Sequence, residues 1–532
     1  MKMNTKRKTL KMPVRYLMNT VLVALLFLGL SYLTGNLLST YQNKVLMTVG
    51  INIILAVSLN VATGYLGQLP LGHAGFMAVG AYTCALFTKY SSLPSGAAFA
   101  IGLALGTYLN FLLVAKRLRI YSAEINAITV PEFFSKRFKD DKKVLLGISA
   151  LIILIFFIPY TASGFKAVGT LFNSLFGFEY HTAMIIGAVV IIAYTVMGGF
   201  LAVSTTDLVQ SIFMTVALIV VVCFGVGQAG GVDAVLENAR SLPGYLNLTQ
   251  GYDAATNQAG SFPALSIVST LAWGLGYFGM PHILLRFMAI EDEKKLVVSR
   301  RVGSVWVVIA MFLAVMIGVV GNTLTASGTI QSLSGSASET IVIQIATLLS
   351  KAGILPALMA GLILAGILAS TMSTADSQLL AASSSVSQNL LQDTLGLKLS
   401  QKSSMLAARL TVVLIAILGV IIAQDPNSSI FGIVSFAWAG FGAGFGPLVI
   451  CSLYWKRTTF PGAIAGLVSG GVFVFIWKYL IKPLGGIWGI YELLPAFLVG
   501  LIAIVAVSLL TKAPSEEVVK EFELARSNEE LK

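Results

Sequence analysis

The chain has 532 residues, 56% of them hydrophobic and 11% charged, where a soluble chain carries about a quarter charged residues. Its mean hydropathy is +0.86, which marks a polytopic membrane protein and not a soluble enzyme. The net charge of +12 does not call for nucleic acid, because the basic residues sit in short segments between apolar runs, where the positive-inside rule places them.

The N-terminus, MKMNTKRKTLKMPVR, is basic and leads into an apolar run from Tyr16 to Leu33. That run is long enough to span and no small-residue cleavage site clearly follows it, so it reads as an uncleaved first helix. Runs able to cross a hydrocarbon core of about 30 Å predict spans near 16–34, 44–63, 71–88, 96–115, 144–164, 181–199 and 206–228. Further spans fall near 264–281, 303–325, 353–390, 405–423, 430–454, 460–480 and 490–510. The window 353–390 is too long for one straight span, so its end runs on into the cytoplasm. The fold class is therefore all-α and polytopic, with about 14 spans and, from the even count and basic N-terminus, both termini in the cytoplasm. The loops agree: Lys116, Arg117, Arg119, Lys136, Arg137, Lys139, Lys142 and Lys143 crowd one predicted inner segment, and Arg286–Arg301 forms another, whereas 229–262 and 326–350 carry few basic residues. Lys478 and Lys482 run against the rule and read as side chains snorkelling to the outer surface. The tail from Lys512 is charged with a weak helical pattern, and reads as a solvated cytoplasmic helix with no assignable task.

Several chemistries are absent. Cys84, Cys223 and Cys451 lie in apolar runs without CxxC spacing, and His73, His181 and His282 form no HExxH pair, so neither a disulfide frame nor a zinc site is supported. There is no GxxxxGK[ST] phosphate loop, so the chain does not hydrolyse ATP itself.

Two stretches carry chemistry instead. In AGILASTMSTADSQLLAASSSVSQNL, Ala365–Leu390, a helical period of 100° per residue puts Ser370, Ser373, Thr374, Ser377, Ala381, Ser384 and Ser385 on one face. Such a stripe is either a cation path, hydroxyl oxygens replacing water around sodium, or a helix contact whose hydroxyls bond their own i−4 carbonyls. In AWGLGYFGMPHILL, Ala272–Leu285, Gly274, Gly276, Gly279 and Pro281 break a span and free its carbonyls, which a membrane tolerates only beside protein or a water-filled cavity. Trp273 and Tyr277 lie i and i+4 on one face there, either as walls of a small-molecule pocket or as packing and interface residues of a kinked helix. Asp207, an acid at the start of a span, is a functional candidate or a helix cap. Arg286 is an inner gate or a positive-inside anchor.

MSTADSQLLAASSSV at 372–386 resembles a signature of the sodium/solute symporter family, in which the paired hydroxyls after Met, here Ser373 and Thr374, supply oxygens to a sodium site. WGLGYFGMPHILLRFMA, FFIPYTASG at 156–164, GGFLAVSTTDLVQ at 198–210 and SFAWAGFGAGFGPLV at 435–449 resemble the sodium/proline symporter branch, over about Ile101 to Pro514. The resemblance implies an inverted-repeat fold of five plus five helices and sodium-coupled symport of a small amino acid, proline first, across the cytoplasmic membrane. It implies sodium as coupling ion with no other cofactor, and proline, sodium and membrane lipid as partners. Carried over by residue, Trp273, Tyr277 and Tyr160 shape the substrate pocket and Pro281 marks the unwound segment. The carbonyl of Ser370 and the hydroxyls of Ser373 and Thr374 hold sodium, and Asp207 with Asp376 and Ser377 marks a second ion or an ion exit.

Residues 1–95 depart from that family. Between Lys44 and Lys89 there is no Asp, Glu or Trp, although the family's first core helix supplies an aspartate, a pocket tryptophan and sodium-binding carbonyls. ILAVSLNVATGYLGQLPLGHAGFMAVGAYTCALF instead resembles permease subunits of branched-chain amino acid ABC importers, so 1–95 reads as a permease-like segment, 96–511 as the transport domain and 512–532 as the tail. The alternatives are an importer permease with an ATPase partner, or a transport-incompetent fusion. His73 in this segment is a ligand for a substrate carboxylate or a proton, or a structural histidine.

Overall fold

A computed structural model describes residues 93–531, except 248, 254–255 and 334. The spans expected before residue 92, the permease-like segment's Gly- and Pro-rich run and His73 lie outside the described residues.

Helix α1 (Leu93–Leu109) passes through a π-helical turn at Asn110–Ala115 into α2 (Lys116–Glu124). Helix α3 (Val130–Arg137) is short and starts where the Thr129 hydroxyl accepts the Glu132 N–H, with the Glu132 carboxylate taking the Ile128 N–H in return. Helix α4 (Val144–Phe176) runs through Pro159 and ends at Gly177, whose φ of +68° is the left-handed cap that glycine accepts. Two short strands, β1 (Gln250–Asp253) and β2 (Gln258–Ser261), form an antiparallel hairpin in the first polar excursion, following α6 (Val232–Ser241); these strands are an addition to the expected all-α fold. Helix α9 (Lys295–Ala326), α10 (Ile341–Ser350), α11 (Ile354–Ser384), α12 (Gln401–Ile422), α13 (Ile430–Tyr454), α14 (Phe460–Ile476) and α15 (Leu493–Leu510) complete the bundle. Among the described residues, nine helices are long and apolar enough to cross a membrane.

Two spans differ from expectation. The pair at 181–199 and 206–228 is one continuous helix, α5 (Tyr180–Gln228). It carries no proline, and a glycine pair at Gly198–Gly199 costs only about 1 kcal/mol per residue against alanine, too little to end a helix. Its start is well specified: the exposed Glu179 carboxylate accepts the N–H groups of His181 and Thr182 at 2.9 and 2.7 Å, which pulls its pKa down to about 2. The span expected at 264–281 is three pieces, α7 (Ala264–Leu271), a 3-10 stretch at Ala272–Gly279 and α8 (Pro281–Ala289).

The tail is also different. Helix α16 (Glu516–Leu531) is docked and not merely solvated: Val518, Phe522 and Ala525 are buried against the bundle. Beneath it the Arg137 side chain is fully buried, its Nε donates to the Ser452 carbonyl at 3.2 Å, and its guanidinium lies 5.2 Å from the Phe522 ring centre. Lys139 pairs with Glu517 and Glu521, and Lys456 with Glu523. A charged sequence reads as solvated because charges are usually exposed; here the apolar residues between them find a surface.

Helix α13 is the centre of the bundle, with 89% of its most apolar window buried against 28% for α12 at the lipid rim. It packs on α4, α14, α15 and the 3-10 stretch, and glycines make the closest of these approaches possible. A Cβ at Gly274 would lie 2.3 Å from the Gly102 carbonyl oxygen of α1, and one at Gly276 would lie 1.8 Å from the Trp438 indole nitrogen of α13. Gly274→Ala is therefore expected to destabilise the detergent-solubilised protein by about 1–3 kcal/mol, read as a clear drop in apparent Tm. Gly227→Ala, where a Cβ meets nothing within 4 Å, should leave Tm level or slightly raised; equal effects of the two would contradict the packing described.

Candidate functional site

The site is built around the interruption at Ala272–Gly279. Proline cannot donate a backbone hydrogen bond, so α8 starts at Pro281, and Met280 before it is extended at φ −77°, ψ 108°. The 3-10 stretch bonds its carbonyls less well than an α-helix does. One of them is taken up from outside: the indole N–H of Trp438 donates to the Trp273 carbonyl at 2.9 Å. Trp273 itself is buried, stacked on Tyr491 with ring centres 4.3 Å apart at 11° and on Phe431 at 5.3 Å and 23°. The Tyr277 ring meets Trp438 edge-on at 5.1 Å. Tyr160, one residue past Pro159 in α4, lies 6.4 Å from the His282 ring of α8. Its hydroxyl is buried with no hydrogen-bond partner among the described residues, a group that costs about 1–3 kcal/mol when left unmet.

The hydroxyl stripe lies on α11. Ser373 Oγ donates to the Ser370 carbonyl at 3.2 Å and Thr374 Oγ1 donates to the same oxygen at 3.1 Å. Ser384 and Ser385 both bond the Ala381 carbonyl at 2.9 Å. This is the back-bonded arrangement that a packing role requires, but it spends only the hydroxyl protons. The oxygens keep their lone pairs. Each hydroxyl oxygen lies 3.1–3.2 Å from the Ser370 carbonyl oxygen, close to the spacing of neighbouring ligands around a hard cation, where bonds of about 2.3–2.6 Å at right angles set oxygens about 3.3–3.7 Å apart. The Ser370 hydroxyl beside them is buried with no hydrogen-bond partner among the described residues.

Arg286 joins the two groups: its Nη2 donates to Ser377 Oγ at 2.7 Å, tying α8 to α11. Helix α4 forms a second join, with Tyr160 towards His282 and the next residue, Thr161, donating to Gln378 at 3.3 Å. Asp376, between these contacts, is fully buried. The Asp207 side chain lies outside the described residues, although its backbone belongs to α5.

Three aromatic residues of this group, Phe431, Trp438 and Tyr491, are absent from the sequence-based candidates. Trp438 sits inside SFAWAGFGAGFGPLV, where small residues announce close packing but not which backbone approaches. Tyr491 stands at the foot of α15, where an aromatic reads as an interface anchor. Phe431 is held by a neighbour equally invisible in sequence: the buried Glu339 carboxylate accepts from Ser429 Oγ and from the N–H groups of Ile430 and Phe431, capping α13. Burial pushes that carboxyl above its usual range, and these three donors and Lys166 oppose the push. A surface cavity of 480 Å³ under α16, lined by Glu124, Lys139, Asp140 and Glu521 among others, lies away from both groups.

A membrane bundle with one helix broken at a proline, aromatic rings around the break and a hydroxyl-bearing helix tied to it defines a secondary transporter of the discontinuous-helix class. A sequence model of the sodium:solute symporter family matches residues 87–470, and the chain belongs to that family. It is 37% identical to sodium/proline symporter 2 of Staphylococcus saprophyticus over 525 residues, covering 94% of this chain and 98% of that one. It is 39% identical to a sodium/proline symporter of Staphylococcus aureus over 484 residues, covering 87% and 91%. Both alignments therefore reach into residues 1–95, while the family match starts at residue 87. The fold is similar to that of a Na+-coupled sialic acid symporter solved in a substrate-bound outward-open state, with TM-score 0.67 at 18% identity over 89% of this chain and 99% of that one. It is also similar to MHP1, a nucleobase-cation-symport-1 family transporter in a closed conformation, with TM-score 0.51 at 14% identity over 85% and 96%.

Trp438→Phe keeps the ring packing and removes the donor to the Trp273 carbonyl. The buried carbonyl then lacks its partner, at a cost of about 1–3 kcal/mol, and amide exchange across 272–281 should speed up by about tenfold. Unchanged exchange would mean that this bond does not hold the break.

Proposed function

We propose that this chain is a sodium-coupled symporter of a small amino acid, L-proline first, working by alternating access in the cytoplasmic membrane. The observation that carries this reading is the 3-10 break at Ala272–Gly279, ringed by aromatic side chains and joined to the hydroxyls of α11. Secondary transporters bind their substrates at such breaks, and relatives named as sodium/proline symporters at 37% and 39% identity support the same ion and substrate.

On this reading Trp273, Tyr277 and Tyr160 are the walls of the substrate pocket. A flat, apolar ring carrying an ammonium suits stacking and cation–π contact with such walls. The Tyr160 hydroxyl is a donor free for the substrate carboxylate, and the N-terminus of α8 at Pro281 favours the same negative charge. The carbonyl of Ser370 and the hydroxyls of Ser373 and Thr374 supply three oxygens to sodium. Asp207, Asp376 and Ser377 mark a second ion or an exit route. A guanidinium 2.7 Å from the Ser377 hydroxyl repels a cation there, so an ion on that route must first displace Arg286.

The scaffold is read as five plus five helices in inverted repeat, with about 14 spans and both termini in the cytoplasm, where the basic segment at 116–143 meets α16 and Arg119 ties that segment to the Ile290 carbonyl of 286–301. The chain needs no cofactor beyond the coupling ion. The importer-permease alternative rests on residues 1–92, outside the described structure, and nothing among the described residues favours it.

Two measurements test the reading. In proteoliposomes, proline uptake should follow an imposed sodium gradient; uptake indifferent to sodium would end the coupling claim. Thr374→Val removes one oxygen at constant shape and should raise the sodium concentration for half-maximal uptake at least tenfold, about 1.4 kcal/mol, with normal expression. A superimposable sodium curve would remove Thr374 from the site.

A further inference from the structure

The faces of Trp273 are occupied by other rings in this structure, so a substrate can reach them only if one of those rings leaves. Phe431 is fixed within α13 and held by the Glu339 cap. Tyr491 is attached differently. It stands at the end of an irregular strap after α14, in which a π-helical turn at Trp477–Ile481 continues that helix into a 3-10 turn at Lys482–Leu484 and a second 3-10 turn at Gly486–Gly489. Between those turns Gly485 has φ +72°, ψ −170°, a region of backbone space that essentially only glycine enters, and Gly486 has φ +59°. A Cβ at either would meet nothing within 4 Å, so packing does not fix the strap at this point.

Beyond the hinge, the strap is fastened by contacts that can be released singly. Tyr491 lies on Trp273, its hydroxyl donates to the Ser435 carbonyl at 2.7 Å, and its N–H donates to Ser269 Oγ at 2.9 Å. One residue on, the buried Glu492 carboxylate pairs with Lys482 at 2.8 Å, closing the strap on itself. Tyr491 thus touches three elements: α7 before the break, the break itself and α13. Side chains at the strap's tip, Leu484 at 70% and Ile487 at 67% exposed, hold to no part of the bundle core.

The geometry points to Lys482–Glu492 as a lid over the broken helix, with Tyr491 as its stopper. The ring lifts off Trp273 to admit substrate and returns to close the pocket. This rests on the reading of Trp273 as a pocket wall and adds a substrate-positioning residue to it.

Accessibility measures the lid without any transport. With Cys84 and Cys223 replaced by serine and Cys451 by alanine, Ser269→Cys places a thiol under the lid at a position 3% exposed. A membrane-impermeant methanethiosulfonate should label it slowly. Tyr491→Ala should speed labelling at least tenfold and Tyr491→Phe, which loses only the bond to Ser435, by less. Lys482→Gln opens the strap's own fastening from the solvent side and should speed labelling at least threefold; it decides the matter if Tyr491→Ala does not elute as a single species. In uptake, Tyr491→Ala should raise KM for proline at least fivefold with a smaller change in kcat. Labelling rates within twofold of the parent in Tyr491→Ala and Lys482→Gln would overturn the lid. Faster labelling in a protein that takes up no proline would leave the lid standing and remove only the substrate reading.

Discussion

The structure turns on one constraint: a backbone group inside a bilayer must find a partner within the protein. Interrupting a helix at Ala272–Gly279 loosens its ladder where water is scarce, and the rest of the site follows from how the freed groups are met. The indole of Trp438 reaches across to the Trp273 carbonyl, which fixes α13 against the break. That approach is open only because Gly276 has no side chain where the indole lies, and the opposite approach of α1 is open only because Gly106 and Gly274 face each other and Gly102 carries no side chain towards Leu271. The aromatic group is thus a consequence of the break as much as its content. Rings fill the space that a regular helix would have closed, and a ring can be moved where a backbone cannot.

Much of this was legible in the sequence, for identifiable reasons. Membrane spans are readable because lipid forbids polar runs, and the interruption at Gly274–Pro281 is readable because proline removes a donor wherever it stands. The continuity of α5 was not, since a glycine pair and a run of hydroxyls at 198–206 look like a loop when judged by composition and cost a helix little. Nor was the docking of α16 readable. Phe522 and Arg137 are far apart in the chain, and nothing in either segment announces the other; the tail's docking on α2 and α3 appears only in three dimensions. The partners of the site divide in the same way. Trp273, Tyr277 and Tyr160 lie in segments whose pattern is unusual by itself, whereas Trp438, Phe431 and Tyr491 become notable only by their neighbours.

On the proposed reading, a packing arrangement and an ion site share the same hydroxyls of α11. Ser373 and Thr374 satisfy their protons on one carbonyl, which a bare helix in lipid would do without any ion. What distinguishes the segment is the company kept: an unmet Ser370 hydroxyl, a fully buried Asp376 and a guanidinium brought to Ser377 from the broken helix. A stripe of small polar residues made only for packing has no use for a buried carboxylate at its centre.

A coupling ion drives a substrate only if it binds the two conformations with different affinity. The three oxygens at Ser370, Ser373 and Thr374 belong to one helical turn and move as a unit, so they offer nearly the same ligands whichever way the transporter faces. The difference must come from oxygens on another element that approach α11 in one conformation and withdraw in the other. The broken helix contacts α11 through Arg286 and Ser377, where a positive charge excludes a cation. On the proposed reading, the ligands that favour sodium must therefore be carried by an element other than α8.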